Sequence, residues 1–119
     1  MGPNITAPDI TGIDTELGLK SVGGKLERYE SLLRKFAQRQ GGTVEAIRGA
    51  LLVGDVSTAE REAHSLRGAA STLGATALAK HAADVEIAIQ TEQNVDQAIE
   101  SLSHCLLTVV KAIRAAFPG

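Results

Sequence analysis

Apolar residues that recur every three or four positions constrain this chain more than any other feature. The pattern runs through most of the sequence, and no segment alternates apolar and polar residues convincingly, as a half-buried strand would. Glycines and capping residues divide the pattern into segments at 14–22, 26–40, 43–53, 57–73, 76–91 and 94–117. The periodicity therefore predicts an all-α fold.

Four of these segments are long enough to form an antiparallel bundle. Each of the four carries one apolar stripe, and their short connections favour an up-and-down order. The segments at 14–22 and 43–53 are shorter, and we expect them to cover an end or a flank. The chain is thus predicted to be an antiparallel up-down four-helix bundle with one or two short accessory helices.

Residues that suit helix caps mark the ends of the predicted helices. Ser57 and Glu60 have the spacing of a capping box, and Gly74 suits the left-handed residue that closes the same helix. We expect Thr43 to cap the third helix and Asn94 to cap the sixth.

The first twelve residues differ from the rest of the chain. They contain Pro3 and Pro8, two of the three prolines, and show no helical pattern. We interpret 1–12 as a linker or leader that tethers the domain, and 13–117 as the bundle. A chain of 119 residues suffices for one such domain with its own core.

Charge and composition argue against several classes of function. The 12 basic and 14 acidic side chains are interleaved, which argues against nucleic acid as a partner and against a basic membrane patch. No apolar run approaches the roughly 18 residues of a membrane span, and the N-terminus does not resemble a signal peptide. The single cysteine, Cys105, suits a reducing cytosol. We therefore expect a cytoplasmic domain without direct membrane contact.

His64 has the most unusual neighbours of the three histidines. At about 100° per residue it lies about 130° from the centre of its helix's apolar stripe and faces outward. Arg67 and Ser71 lie on the same flank, and Gly68 follows one turn later. Glycine inside a helix costs about 0.5–1 kcal/mol relative to alanine. Its presence beside an exposed imidazole indicates that space is cleared for a reaction partner.

Other candidate residues have plainer interpretations. His81 is expected at a half-buried edge, His104 on the solvated surface, and Cys105 as a packed thiol. The sequence contains no Cys/His metal spacing, no GxxxxGK[ST] phosphate loop and no nucleotide-binding motif. No cofactor or metal is therefore expected in the domain.

The stretch HSLRGAASTLG at residues 64–74 resembles the signature of histidine-containing phosphotransfer (HPt) domains. In that family the histidine is followed at fixed spacing by leucine, lysine or arginine, and glycine, then by small residues and a second glycine. Glu86 corresponds to an acidic or amide position on the family's next helix. The resemblance covers roughly residues 13 to 115, and it implies a bundle of helices that carries a phosphoryl group.

The resemblance implies a phosphocarrier of a two-component phosphorelay. His64 would accept a phosphoryl group from an aspartate of a response-regulator receiver domain, in cis or in trans, and pass it to another receiver. Arg67 would offset phosphoryl charge, Gly68 would leave the ring accessible, and Ser71 would extend the patch. Glu86 would accept a hydrogen bond from Nδ1–H of the ring. The receiver would supply Mg²⁺, and the domain would have no kinase activity of its own.

Several alternatives stay open at this point. The chain could be a non-catalytic helical adaptor that docks proteins on the His64 face, or a helical enzyme with His64 as general base. Glu60, four residues before His64, is a second candidate for the role of Glu86. The domain is either free-standing or the C-terminal module of a hybrid sensor histidine kinase that is anchored in the membrane, and the proline-containing leader favours the module.

Overall fold

Nearly all of the described chain is helical. The structure is a computed structural model that describes residues 9–118, so residues 1–8 of the predicted leader lie outside the described part. Its helices are α1 Thr15–Ser21, α2 Leu26–Gln40, α3 Thr43–Leu52, α4 Val56–Leu73, α5 Thr76–Thr91 and α6 Val95–Ala116. Between residues 9 and 118 the only β-type pairing is an isolated bridge from Ile10 to Ile13. The all-α fold is confirmed.

The helices form a four-sided bundle. α4 packs against α5, and α5 packs against α6. α2 and α3 each pack against both α4 and α6, so they share the fourth side, with Gly41 and Gly42 at the break between them. Val44 and Ile47 of α3 are buried, and this helix is therefore part of the bundle wall. The shorter α1 packs on α4 and α2.

The inner face of α4 is buried in the core along its whole length. Its predicted apolar stripe is buried at every position: Ala59, Ala63, Leu66, Ala70 and Leu73. The three alanines keep the side chains short where other helices approach. Because one face of α4 is filled by these contacts, the residues on its opposite face are left to solvent.

Side chains from α1 and α2 bind backbone carbonyls at the C-terminal end of α4. The Tyr29 hydroxyl donates to the Leu73 carbonyl oxygen at 2.6 Å, and the Ser21 hydroxyl donates to the Thr72 carbonyl oxygen at 2.7 Å. Burial and the charge of Asp14 raise the pKa of Tyr29 to about 12. These bonds satisfy acceptors that the last turn of a helix leaves without an intrahelical partner.

Gly74 closes α4 in the left-handed conformation, with φ +88°, as the sequence predicted. Its carbonyl oxygen accepts from the Asp14 N–H at 2.8 Å, so α1 begins in direct backbone contact with this turn. A Cβ at Gly74 would lie 2.1 Å from the Asp14 carbonyl oxygen, and one at Gly18 would lie 2.1 Å from the Leu73 carbonyl oxygen. Only glycine permits these close approaches.

The start of α4 differs from the prediction. The helix begins at Val56, and Asp55 caps it instead of Ser57. The Asp55 carboxylate accepts from the Thr58 N–H at 3.2 Å and from its hydroxyl at 2.6 Å. These bonds lower the pKa of Asp55. The Ser57 prediction was wrong because Asp55 offers a stronger acceptor two residues earlier.

The Thr43 prediction was also wrong, because Gly42 is the N-cap of α3, whereas Asn94 occupies the N-cap position of α6 as predicted. Thr43 is the first residue of α3, and its hydroxyl donates to the Gln40 side chain. Asn94 precedes α6 with a left-handed backbone, φ 55°, and makes no side-chain cap bond. At the other end of the chain, Ile10 lies within the predicted leader but is buried in the core. Packing therefore begins at least three residues before the predicted start of the domain.

Candidate functional site

His64 lies on the outer face of α4, and 65% of its side chain is exposed. The buried stripe of α4 holds the opposite face against the core, so the helix presents this ring outward, as predicted. The other two histidines also lie where the sequence placed them: His81 is half-buried and His104 is exposed. Neither of these two makes a side-chain hydrogen bond or ion pair within residues 9–118.

Glu86 of α5 lies beside the His64 ring. Its Oε2 is 3.2 Å from Nδ1 of His64, and only 13% of the Glu86 side chain is exposed. The close packing of α5 on α4 brings this carboxylate to the edge of the outer face. The predicted juxtaposition of the two residues is present in the structure. Glu60, the second candidate, makes no such contact with His64 in the described part of the chain.

Arg67 completes a cluster of three charged or titratable side chains. Its Nη2 lies 3.0 Å from Nδ1 of His64, and its Nε lies 3.3 Å from Oε1 of Glu86. The second contact is an ion pair and not a hydrogen bond. The buried Oε1 of Glu86 accordingly has no hydrogen-bond partner among the described residues. The guanidinium therefore neutralises Glu86 without being fixed to it.

The two nitrogens of the His64 ring have different surroundings. Nδ1 faces both Arg67 and Glu86. Nε2 makes no hydrogen bond to any residue of the described chain. A ring held through one nitrogen with the other unengaged is the arrangement that a histidine nucleophile requires. That Arg67 and Glu86 meet at the same nitrogen could not be predicted from the sequence, because the spacing fixes the helix faces but not the rotamers.

Gly68 and Ser71 extend the exposed face beyond the ring. A Cβ at Gly68 would have no atom outside its own helix backbone within 4 Å, so nothing in the described fold requires glycine there. Ser71 is exposed, and its hydroxyl makes no hydrogen bond to His64 or Arg67. Thr72, which lies on the same exposed face, donates its hydroxyl to the Gly68 carbonyl oxygen at 3.1 Å. Its spacing four residues after Gly68 was the available signal.

Three further features bear on the class of site. Within residues 9–118 no group of three or more His, Cys, Asp or Glu side chains is arranged to hold a metal ion. Among the described helices, none combines the length and the apolarity that crossing a membrane requires. Cys105 is half-buried against the core, and burial raises the pKa of its thiol. A thiol whose pKa is raised in this way is a poor nucleophile, in line with the interpretation of Cys105 as a packing residue.

Comparisons with known proteins agree on one family. The model of the Hpt domain matches residues 31–116. The HPT domain of a sensor hybrid histidine kinase from Shewanella is 23% identical, with a TM-score of 0.76 over 90% of this chain and 94% of that one. The histidine-containing phosphotransfer protein B of Pseudomonas aeruginosa is 21% identical, with a TM-score of 0.78 over 90% and 95%. Among curated proteins no match was found.

These two solved structures share the fold of the chain, and the family match covers most of the sequence, including α4 and α5 with the His64 cluster. The described bundle and its exposed histidine fit that assignment. The chain belongs to the Hpt domain family and serves histidine phosphotransfer in a phosphorelay.

Proposed function

We propose that His64 is the residue that carries the phosphoryl group. One observation carries the assignment: His64 alone among the histidines combines an exposed ring with an Nδ1 held between a carboxylate and a guanidinium. It also occupies the histidine position of the family motif. His81 and His104 lack such partners, so their rings have no comparable means of orientation.

The reaction follows from the two nitrogens of the ring. The lone pair of Nε2 attacks the phosphorus of a receiver's aspartyl phosphate, so an N–P bond forms. The P–O bond breaks, and its electron pair leaves on the aspartate carboxylate. Nδ1 keeps its proton, and Oε2 of Glu86 stabilises the resulting imidazolium. Transfer to a second receiver is the reverse of these steps, and Arg67 offsets the phosphoryl charge in both directions.

The surface around His64 suits a receiver domain. Gly68 and Ser71 present little bulk beside the ring. A groove of about 210 Å³ between α2 and α4 adjoins this face on the Gly68 side, and it is lined by Leu32, Lys35, Phe36, Arg39, Gln40, Ala69, Thr72 and Leu73. Two of these side chains are basic, which favours an acidic partner surface. We propose that receivers dock here, in cis or in trans, and that their acidic site supplies the Mg²⁺.

The cellular setting is also a proposal. One structural neighbour is a domain of a sensor hybrid kinase and the other is a separate phosphotransfer protein. We propose the first arrangement for this chain, as a module that acts in the cytoplasm without touching nucleic acid or the membrane. The kinase activity then resides in another part of the parent protein, because no ATP-binding motif occurs in this sequence.

Substitution of the histidines tests the site assignment directly. Wild type, His64→Gln, His81→Gln and His104→Gln are each incubated with a phosphorylated receiver, and phosphate that is labile in acid but stable in alkali is measured. We expect His64→Gln to abolish labelling while helicity and melting temperature stay nearly unchanged, because the ring is exposed. The other two variants should be labelled normally.

Two results would overturn the proposal. Persistent labelling of His64→Gln would place the phosphoryl group on another residue. Receiver binding by the wild type without any labelling would favour the adaptor interpretation, in which the His64 face only docks a partner.

A further inference from the structure

Two groups approach Nδ1 of His64, and they require opposite protonation states of that nitrogen. The Arg67 guanidinium has only N–H donors, so its contact at 3.0 Å needs a lone pair on Nδ1. The Glu86 carboxylate, paired with Arg67, has only acceptors, so its contact at 3.2 Å needs a proton on Nδ1. A neutral imidazole carries one proton and satisfies only one of these contacts at a time.

The choice between the contacts decides whether the ring reacts. When Arg67 donates to Nδ1, the proton resides on Nε2, and the nitrogen that would attack phosphorus has no free lone pair. When Glu86 accepts from Nδ1–H, the lone pair of Nε2 is free. Arg67 and Glu86 are therefore antagonists at His64, although they form an ion pair with each other.

We propose that Arg67 holds the resting His64 in the non-nucleophilic tautomer, and that the phosphoryl group of a docking receiver draws the guanidinium away and so activates the ring. This inference rests on the proposed phosphocarrier function and adds a form of regulation to the same site. The reactive tautomer is then produced by the arrival of the substrate itself.

The exposure of Arg67 and Glu86 differs in the direction that this mechanism needs. The Arg67 side chain is 42% exposed against 13% for Glu86, and its contact with Oε1 lacks hydrogen-bond geometry. The open space at Gly68 lies beside it on the same helix. Glu86 of α5 is mostly buried, and in this proposal it is the partner that stays in place. The group that must move is thus the exposed one.

A phosphoryl group is a stronger partner for Arg67 than Nδ1 is. Hydrogen bonds from guanidinium to phosphate oxygens are charge-assisted and commonly bidentate, whereas the bond to a neutral ring nitrogen is single. Once Arg67 turns to the phosphoryl oxygens, water removes the proton from Nε2 and delivers one to Nδ1, with no net proton change. Nε2 then attacks as described above, and Nδ1–H remains on Glu86.

The tautomer ratio of His64 tests this inference. Imidazole ¹⁵N spectra are recorded at a pH where the ring is neutral, because the two tautomers have distinct shifts. We expect the wild-type ring to be mainly protonated on Nε2, and Arg67→Ala to shift the ratio about three- to tenfold toward Nδ1–H, the range that one hydrogen bond spans. Glu86→Ala should move it the opposite way, and the exposed His104 serves as an internal reference.

A second variant and a labelling assay make the outcome unambiguous. Arg67→Met keeps the aliphatic length without any donor and should reproduce the shift seen with Arg67→Ala. A wild-type ring already protonated on Nδ1, or a ratio that neither variant changes, overturns the inference. Labelling by a phosphorylated receiver is scored on the same wild-type sample. Normal labelling with no tautomer shift overturns only this inference, whereas absent labelling overturns the proposed function beneath it.

Discussion

The middle of α4 and its C-terminal end use glycine for opposite purposes. At the end, a Cβ on Gly74 would lie 2.1 Å from a backbone oxygen of Asp14, and the backbone is left-handed. In the middle, a Cβ on Gly68 would meet nothing outside its own helix backbone within 4 Å. The first glycine is required by the fold. Gly68 weakens the helix, and no contact within residues 9–118 requires glycine at that position.

This contrast separates the residues of α4 that the fold requires from those of the proposed site. The C-terminal end is sealed by Tyr29 and Ser21, whose hydroxyls bind its carbonyl oxygens. The middle carries His64, exposed and flanked by Arg67. A residue that costs stability without an internal contact is explained by something outside the chain, and under the proposed function that partner is the receiver domain.

Alanine at position 74 should have the largest effect on stability. Gly74→Ala is expected to lose more than about 3 kcal/mol of unfolding free energy, because α1 must separate from α4 to admit the Cβ. Gly54 is a matched control: it is also left-handed, at φ +78°, but has open space around it. Gly54→Ala should lose only about 1–2 kcal/mol, the cost of the backbone conformation. Equal losses in denaturant titrations would contradict the close-contact explanation.

Removing the Tyr29 hydroxyl should have the next largest effect. Tyr29→Phe leaves the Leu73 carbonyl without this donor at a buried site and should cost about 1–3 kcal/mol. The pKa of Tyr29 rises from about 10 in the unfolded chain to about 12 in the fold. The stabilisation that the neutral Tyr29 side chain gives to the fold is therefore complete below pH 10 and is lost between pH 10 and 12.

The pH dependence provides the check on this assignment. Unfolding free energies of wild type should fall more steeply over that range than those of Tyr29→Phe. Because the chain has one tyrosine, its phenolate absorbance reports the same ionisation directly. Parallel pH profiles for the two proteins would show that the hydroxyl bond does not stabilise the fold.

Much of the fold could be predicted from the sequence, because the buried face of a helix requires apolar residues every three or four positions. The stripe of α4 and the left-handed Gly74 were both predicted and are both present. Caps were less predictable, since Asp55, Ser57 and Thr58 are all capping types that lie within four residues, and sequence patterns locate a helix end only to within one or two residues. The burial of Ile10 had no periodic signal, because it lies before the first helix.

The candidate site, like the fold, could be predicted from the sequence only in part. Helical spacing was enough to place His64, Arg67 and Gly68 on one outer face, and to turn Glu86 toward α4. The competition of two side chains for Nδ1 depends on rotamers and on the separation of two helices, which no spacing within one helix encodes. Ser71 shows the limit of the pattern, because it shares the face without joining the cluster.

Gly68 provides the most direct test that the middle of α4 is built for a partner. Gly49 of α3 is a matched control, since it is also helical, exposed and without neighbours within 4 Å of a Cβ. Gly68→Ala and Gly49→Ala should each stabilise the domain by up to about 1 kcal/mol. Single-turnover transfer from a phosphorylated receiver should slow for Gly68→Ala and stay normal for Gly49→Ala. Normal transfer in both variants would contradict the account.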